Sequence, residues 1–335
     1  MISERESRII YILKAFAIFS VVCAHVSLVP ETFSTKSKFL CTLLSEIGAV
    51  GVGIFFCVSG YLFCITAYKN NTFKKFMFDK LVKIGLPWII SATLVYVYVA
   101  IRKGGSIEGW LISVVGYQSS YWFLSMLLII QIIFYFVEKC KHDIMLALFL
   151  MGTSIISVVL RKSGIIAQDS FGVYLNVFNW IIFFAVGYVI AKRKIKLYFI
   201  RKSLPFAGLL FVFTLLLLGL PITKTGKISY YYYLYIPIEM VAILVCIGLA
   251  FRLSNKKRKK LEMVGKMSFA IYLYNELLWA GLIVHIGNNF DNCILIIARP
   301  IVVLTIVSIE LWVGDKLFEF LGKKRQYEIL TGVRI

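Results

Sequence analysis

The chain has 335 residues, with 37 Lys and Arg against 17 Asp and Glu, a formal net charge of +20 and 60% hydrophobic residues. Its mean hydropathy of +0.85 is too high for a soluble domain of this length. A nucleic-acid-binding module is also excluded, because the cations fall in short segments between apolar runs rather than on one basic face.

Ten runs have the length and apolar character to cross a hydrocarbon core of ~30 Å: 9–29, 47–68, 81–101, 119–138, 143–160, 172–191, 203–221, 230–251, 267–286 and 292–314. The fold class expected is therefore all-α, a polytopic transmembrane bundle forming a single integral domain over 1–335. The stretch 109–117 is too short to span and is expected at the surface. The first run is too long for a cleavable signal peptide, carries two ionisable residues and lacks an A-x-A site, so it is read as a span. With the N-terminus inside, 26 of the 37 Lys and Arg fall in inner segments and eight in outer ones. That bias predicts both termini in the cytoplasm. The seven Cys are scattered, show no metal-ligand or disulfide spacing, and read as small apolar side chains. No metal site is expected.

Lys14 and His25 interrupt the first span. Eleven residues at 100° each bring them within 20° of one face, about 16 Å apart along the axis. Ionisable groups in a bilayer are costly and mark pathways or sites. An imidazole in a partly dry cavity is suited to act as a general base near neutral pH. Two carboxylates match its depth and could orient it: Glu239 in the eighth span and Glu276 in the ninth. Arg299 in the tenth span lies in the same outer half, and Glu310 matches the depth of Lys14. Pairings of Lys14 with Glu310, and of Arg299 with Glu239 or Glu276, would offset buried charge. On the inner side, Lys69, Lys74, Lys75, Lys80 and Lys83 form a cluster able to meet phosphates as point charges. In the second span, glycines between 51 and 60 would loosen the helix and free backbone donors for an oxyanion, with Ser59 beside them. At outer mouths, Tyr121 and Trp122, and the tyrosines of ISYYYYLYIP including Tyr231 and Tyr232, read either as interfacial anchors or as stacking platforms.

These residues also carry a resemblance. LKAFAIFSVVCAH resembles the first helix of acyltransferase-3 membrane proteins, in which a basic residue, ten intervening residues and a histidine recur; Lys14 stands where many members have arginine. GVGIFFCVSGYLF is similar to the second-helix pattern. FKKFMFDKLVKIGLPW resembles the segment with two arginines three residues apart before a proline, here Lys80, Lys83 and Pro87. YWFLSMLLIIQ, FFAVGYVIAK and MSFAIYLYNELLW resemble later helices. Leu127 and Leu128 stand where one branch has glutamate, and Asn275 stands where many members have histidine.

The resemblance implies transfer of an acyl group, acetyl first among candidates, from cytoplasmic acyl-CoA to a hydroxyl of a cell-surface or lipid-linked glycan, in the bacterial inner membrane. It implies His25 as base or transient acyl carrier, with Lys14, Glu276 and Glu239 around it. Lys75, Lys80, Lys83 and Ser59 would meet the donor. Tyr121, Trp122, Tyr231, Tyr232, Asn275 and Arg299 would meet the acceptor. The expected partners are acyl-CoA, the glycan and membrane lipid, with no tightly bound cofactor and no nucleic acid. The competing class is a transporter or lipid-linked sugar flippase, for which intramembrane charges and ten spans would also serve.

Overall fold

A computed structural model describes residues 3–66, 72–117, 119–165, 174–194, 208 and 235–333, with backbone alone at 102, 103 and 276–278. Among the described residues the chain is helical throughout and contains no strand. In order, the helices are α1 (Glu4–His25), α2 (Thr35–Ile65), α3 (Phe73–Lys80), α4 (Leu86–Lys103), α5 (Ile107–Val115), α6 (Trp122–Lys139), α7 (Asp143–Lys162), α8 (Ile181–Lys192), α9 (Tyr235–Leu253), α10 (Lys259–Tyr274), α11 (Gly281–Gly287), α12 (Cys293–Phe320) and α13 (Lys324–Thr331). A π-helical turn, Leu81–Gly85, joins α3 to α4, and another, Asn275–Ala280, joins α10 to α11.

Among the described residues, seven helical runs are long and apolar enough to cross a membrane: α1, α2, Phe73–Ile101, α6, α7, α9 and α12. Three of the ten expected spans are not among these runs. The sixth expected span corresponds to α8, an apolar helix of only 12 residues. The ninth, 267–286, is divided between the second half of α10, the π-helical turn Asn275–Ala280 and α11, and α10 itself has only 16 residues. The seventh, 203–221, lies outside the described residues except at 208. The second helix starts at Thr35, well before 47. Leu40, Cys41 and Leu44 in its first turns pack with Val29, Phe33 and Ile296, so these turns have an apolar seam of their own. α5 has no buried residue and is tied to α4 by Trp110 Nε1 donating to Thr93 Oγ1 at 3.0 Å.

The chain forms two compact units interleaved in sequence. One comprises Met1–Phe55, Lys196–Gly322 and Val333–Ile335, and the other Phe56–Ile195 and Lys323–Gly332.

The first unit is built around α1. Ser3 caps it, accepting from the Glu6 N–H at 3.2 Å while the Glu6 carboxylate accepts from Ser3 N. Glu4 and Glu6 in its first turn also favour the helix dipole. α1 packs against α9, α10 and α12, burying Ile12, Ala17, Ile18, Val22 and Cys23 completely. Lipid tails are as apolar as leucine, so helix association in a bilayer rests on close packing of small residues and on interhelical hydrogen bonds. Both are present. A Cβ at Gly265 would strike the Tyr11 carbonyl, and one at Gly48 would strike Ala24. Ser20 Oγ donates to the Ile47 carbonyl.

In the second unit, α7 packs on α8, and α4 packs on α5 and α13. Its interior is aromatic. Phe134 and Phe184 have ring centroids 4.7 Å apart, Phe56 and Phe123 4.8 Å, and Phe134 and Tyr188 5.1 Å. One end is tied by charge. Lys192 Nζ lies 2.8 Å from Glu138 Oε1 and 2.6 Å from Asp143 Oδ2, and the Tyr188 hydroxyl donates to Glu138 with Asp143 Oδ2 3.1 Å away. This knot joins α6, α7 and α8 where each would otherwise leave a costly isolated charge.

Candidate active site

His25 is the last residue of α1 and is half-buried. Its Nδ1 lies 2.6 Å from Asn275 Oδ1. Asn275 is fully buried at the first position of the π-helical turn. Its Nδ2 donates to the carbonyls of Ile271 and Tyr272, both at 2.9 Å. Those two bonds fix which end of the amide is oxygen. Because Oδ1 can only accept, Nδ1 of His25 must carry the hydrogen. In the neutral ring, Nε2 is then the lone-pair nitrogen. Nε2 makes no hydrogen bond among the described residues. Among the described residues, the imidazole is held in one tautomer with the Nε2 lone pair available to accept a proton.

The depth argument nominated Glu239 and Glu276 for this role; among the described side chains the group that meets the imidazole is Asn275. Glu239 is 2% exposed and its two oxygens make no hydrogen bond among the described residues. It lies against Gly53, where a Cβ would collide with its Oε2. Glu276 follows Asn275 on the π-helical turn, and its side chain lies outside the described part. Lys14 is half-buried on α1. The expected Lys14–Glu310 pair is absent. Glu310 is exposed and accepts from Trp279 Nε1 at 2.8 Å. Arg299 does not pair with Glu239 either. It donates to the Leu28 carbonyl and to Asn288 Oδ1, each at 3.1 Å.

In the second unit, Lys80 ends α3 and Lys83 lies on the π-helical turn that follows. Lys80 Nζ sits 5.5 Å from the Phe76 ring centroid and 5.8 Å from that of Phe63, distances at which the ring quadrupole attracts a cation. Lys74, Lys75 and Lys83 are exposed, and Lys69 lies outside the described residues. Both π-helical turns thus carry residues singled out by sequence, and such turns are frequent at functional sites. Ser59 is half-buried. α2 runs unbroken through Gly51–Gly60, so the backbone N–H groups there serve the helix and are not free for an oxyanion; the Ser59 hydroxyl remains. The reason is that these glycines serve close packing: a Cβ at Gly60 would strike the Phe184 carbonyl.

Tyr121 is buried, with its hydroxyl 2.8 Å from Ser91 Oγ, and so presents no open face. Trp122 is half-buried, its ring 4.9 Å from Tyr174 and 4.8 Å from Trp180. Tyr231 and Tyr232 lie outside the described residues. Among the described residues no three His, Cys, Asp or Glu side chains gather as a metal site.

Among the described residues, the seven apolar helical runs long enough to cross a membrane define a multi-pass membrane protein. The acyltransferase-3 family, described as an acyltransferase domain, matches residues 9–312, and the chain belongs to it. No curated protein and no solved structure matches the chain.

Proposed function

We propose that the protein is an O-acyltransferase of the bacterial inner membrane. It moves an acyl group, acetyl first among candidates, from cytoplasmic acyl-CoA to a hydroxyl of a cell-surface or lipid-linked glycan. The observation that carries this reading is the Asn275–His25 bond, which leaves Nε2 as a base. Nε2 takes the proton of the acceptor hydroxyl as its oxygen attacks the thioester carbonyl. The tetrahedral intermediate then expels the CoA thiolate, which takes that proton from the imidazolium. In the two-step variant Nε2 attacks the thioester carbonyl and expels the CoA thiolate, leaving an acylimidazolium with its hydrogen on Nδ1; the acceptor hydroxyl then attacks the acyl carbon, the C–Nε2 bond breaks, and the hydroxyl proton passes to the thiolate. Both routes need the same free nitrogen.

The other assignments belong to this reading. Lys14, on the His25 face of α1, faces the donor side. Lys75, Lys80, Lys83 and Ser59 are assigned to the acyl-CoA donor, the lysines to its phosphates. Trp122 is the stacking surface for a sugar, with Tyr231 and Tyr232 assigned to the same task. Asn275 reaches the acceptor only through His25. Glu276, which follows Asn275 on the π-helical turn, is assigned the counter-charge to the imidazolium.

The test uses membranes containing wild-type protein or His25→Ala, supplied with labelled acetyl-CoA. Label should enter an alkali-labile glycan ester with wild type alone. Equal labelling by the variant sinks the mechanism. A glycan carried across the bilayer without ester formation would point to a flippase.

A further inference from the structure

The loop that follows His25 is held by one hairpin. Val26 is buried and ends α1, and Ser27 Oγ donates back to the Ala24 carbonyl at 2.8 Å. Leu28 then gives its carbonyl to Arg299 of α12. Further along, Val29 and Phe33 pack with Ile296. Ser34 N donates to Asp291 Oδ2 at 2.7 Å, and the Ser37 hydroxyl also donates to Asp291. Beyond the Ser27–Ala24 bond within the turn, the polar anchors and Ile296 all lie on α12 or on the turn that connects α11 to it.

Arg299 is the unusual member. It is 2% exposed, and the two groups it donates to, the Leu28 carbonyl and Asn288 Oδ1, are both uncharged. A guanidinium at this depth is costly, and its planar fork spans two acceptors in a way an ammonium cannot. Its Nε edge is turned to Gly287, where a Cβ would stand only 2.7 Å from Nε and 2.8 Å from Nη2. Glycine at 287 is therefore what lets the guanidinium lie between the α11 end and the loop. Pro300 follows directly and takes one N–H out of the α12 ladder.

We propose that Arg299 is a positioning residue for His25, fixing the turn that begins with the imidazole by tying the Leu28 carbonyl to Asn288. Together with Asn275, it makes the segment 275–299 the element that sets both the ring tautomer and the place of the ring. The role at His25 rests on the functional reading above, so the experiment includes a readout that does not need turnover. That readout is the rate at which diethyl pyrocarbonate modifies the His25 imidazole, followed by mass spectrometry of its peptide.

The variants are Arg299→Ala, Arg299→Lys and Gly287→Ala, with Asp291→Asn as a control on the same hairpin but farther along the loop. Arg299→Ala and Gly287→Ala should each speed His25 modification about threefold or more, because the turn opens locally. Where acyl transfer is measurable, they should lower kcat by about tenfold to a hundredfold, the scale of a small misplacement, with the KM for acyl-CoA unchanged. Arg299→Lys should resemble Arg299→Ala, and Asp291→Asn should resemble wild type in both readouts. Wild-type modification rates in both Arg299→Ala and Gly287→Ala would overturn the proposal, as would full restoration by lysine. Absence of transfer by the wild-type protein, with the modification pattern as expected, would count against the functional reading and leave the positioning role standing. Should Arg299→Ala fail to fold, Gly287→Ala carries the test.

Discussion

At the scale of single residues, the decisive fact is that Nδ1 of His25 meets an amide oxygen, that of Asn275. A carboxylate would stabilise the imidazolium by charge, whereas Asn275 fixes the ring without adding charge to the site. Asn275→Ala should therefore lower kcat by about tenfold to a hundredfold, and His25→Ala should abolish transfer. The KM for acyl-CoA should be unaltered in Asn275→Ala, as steady-state kinetics on purified protein would reveal. Lys80 and Lys83 predict the opposite split. Replacing either with alanine should raise the KM for acyl-CoA by about tenfold, the loss of one charge-assisted contact, with little change in kcat. A fall in kcat alone would contradict their assignment to the donor phosphates. The spacing of Lys14 and His25 on one helix was legible from sequence because it is local periodicity. The partner of His25 was not, because it lies 250 residues away. Depth alone ranked the two carboxylates above the amide, and the π-helical register at Asn275–Ala280 leaves no periodic trace. The one available signal was the position of Asn275 within MSFAIYLYNELLW.

At the scale of helices, close approach at glycine holds the first unit together. Gly265→Leu would place a side chain against the Tyr11 carbonyl and part α1 from α10. Overpacking of this kind costs about 1–3 kcal/mol, so thermal unfolding in detergent should occur several degrees lower. An unchanged transition would mean that the contact adds nothing to stability. Most helices could be read directly, since apolar length is a property of composition. The start of α2 at Thr35 could not. Its first turns depend on Phe33, Cys41 and Ile296 meeting across the fold, and the polar residues among 35–46 hide them. The missing Lys14–Glu310 pair has a similar origin. Equal depth says nothing about which faces adjoin, and Glu310 points instead to Trp279.

At the scale of the whole molecule, the two units carry different residues: the tautomer-fixed His25 in one and a lysine-bearing π-helical turn in the other. The hairpin that holds the His25 loop also gives a pH dependence. Asp291 lies between α11 and α12, and the Ser37 hydroxyl and the Ser34 N–H hold its carboxyl below the usual range. A depressed carboxylate stabilises the folded state above its unfolded pKa, and the contribution fades as pH falls through the folded value. Wild-type stability should therefore decline below about pH 4, the ordinary carboxylate range, more steeply than that of Asp291→Asn. Parallel acid-unfolding curves would remove Asp291 from the account.

The central claim is that His25, through Nε2, performs acyl chemistry. It is tested most directly by incubating purified protein with labelled acyl-CoA and following release of free CoA thiol, comparing wild type with His25→Ala at matched insertion and folding. The account predicts turnover with wild type and none above background with the variant. Equal release of CoA thiol by the two proteins would contradict it.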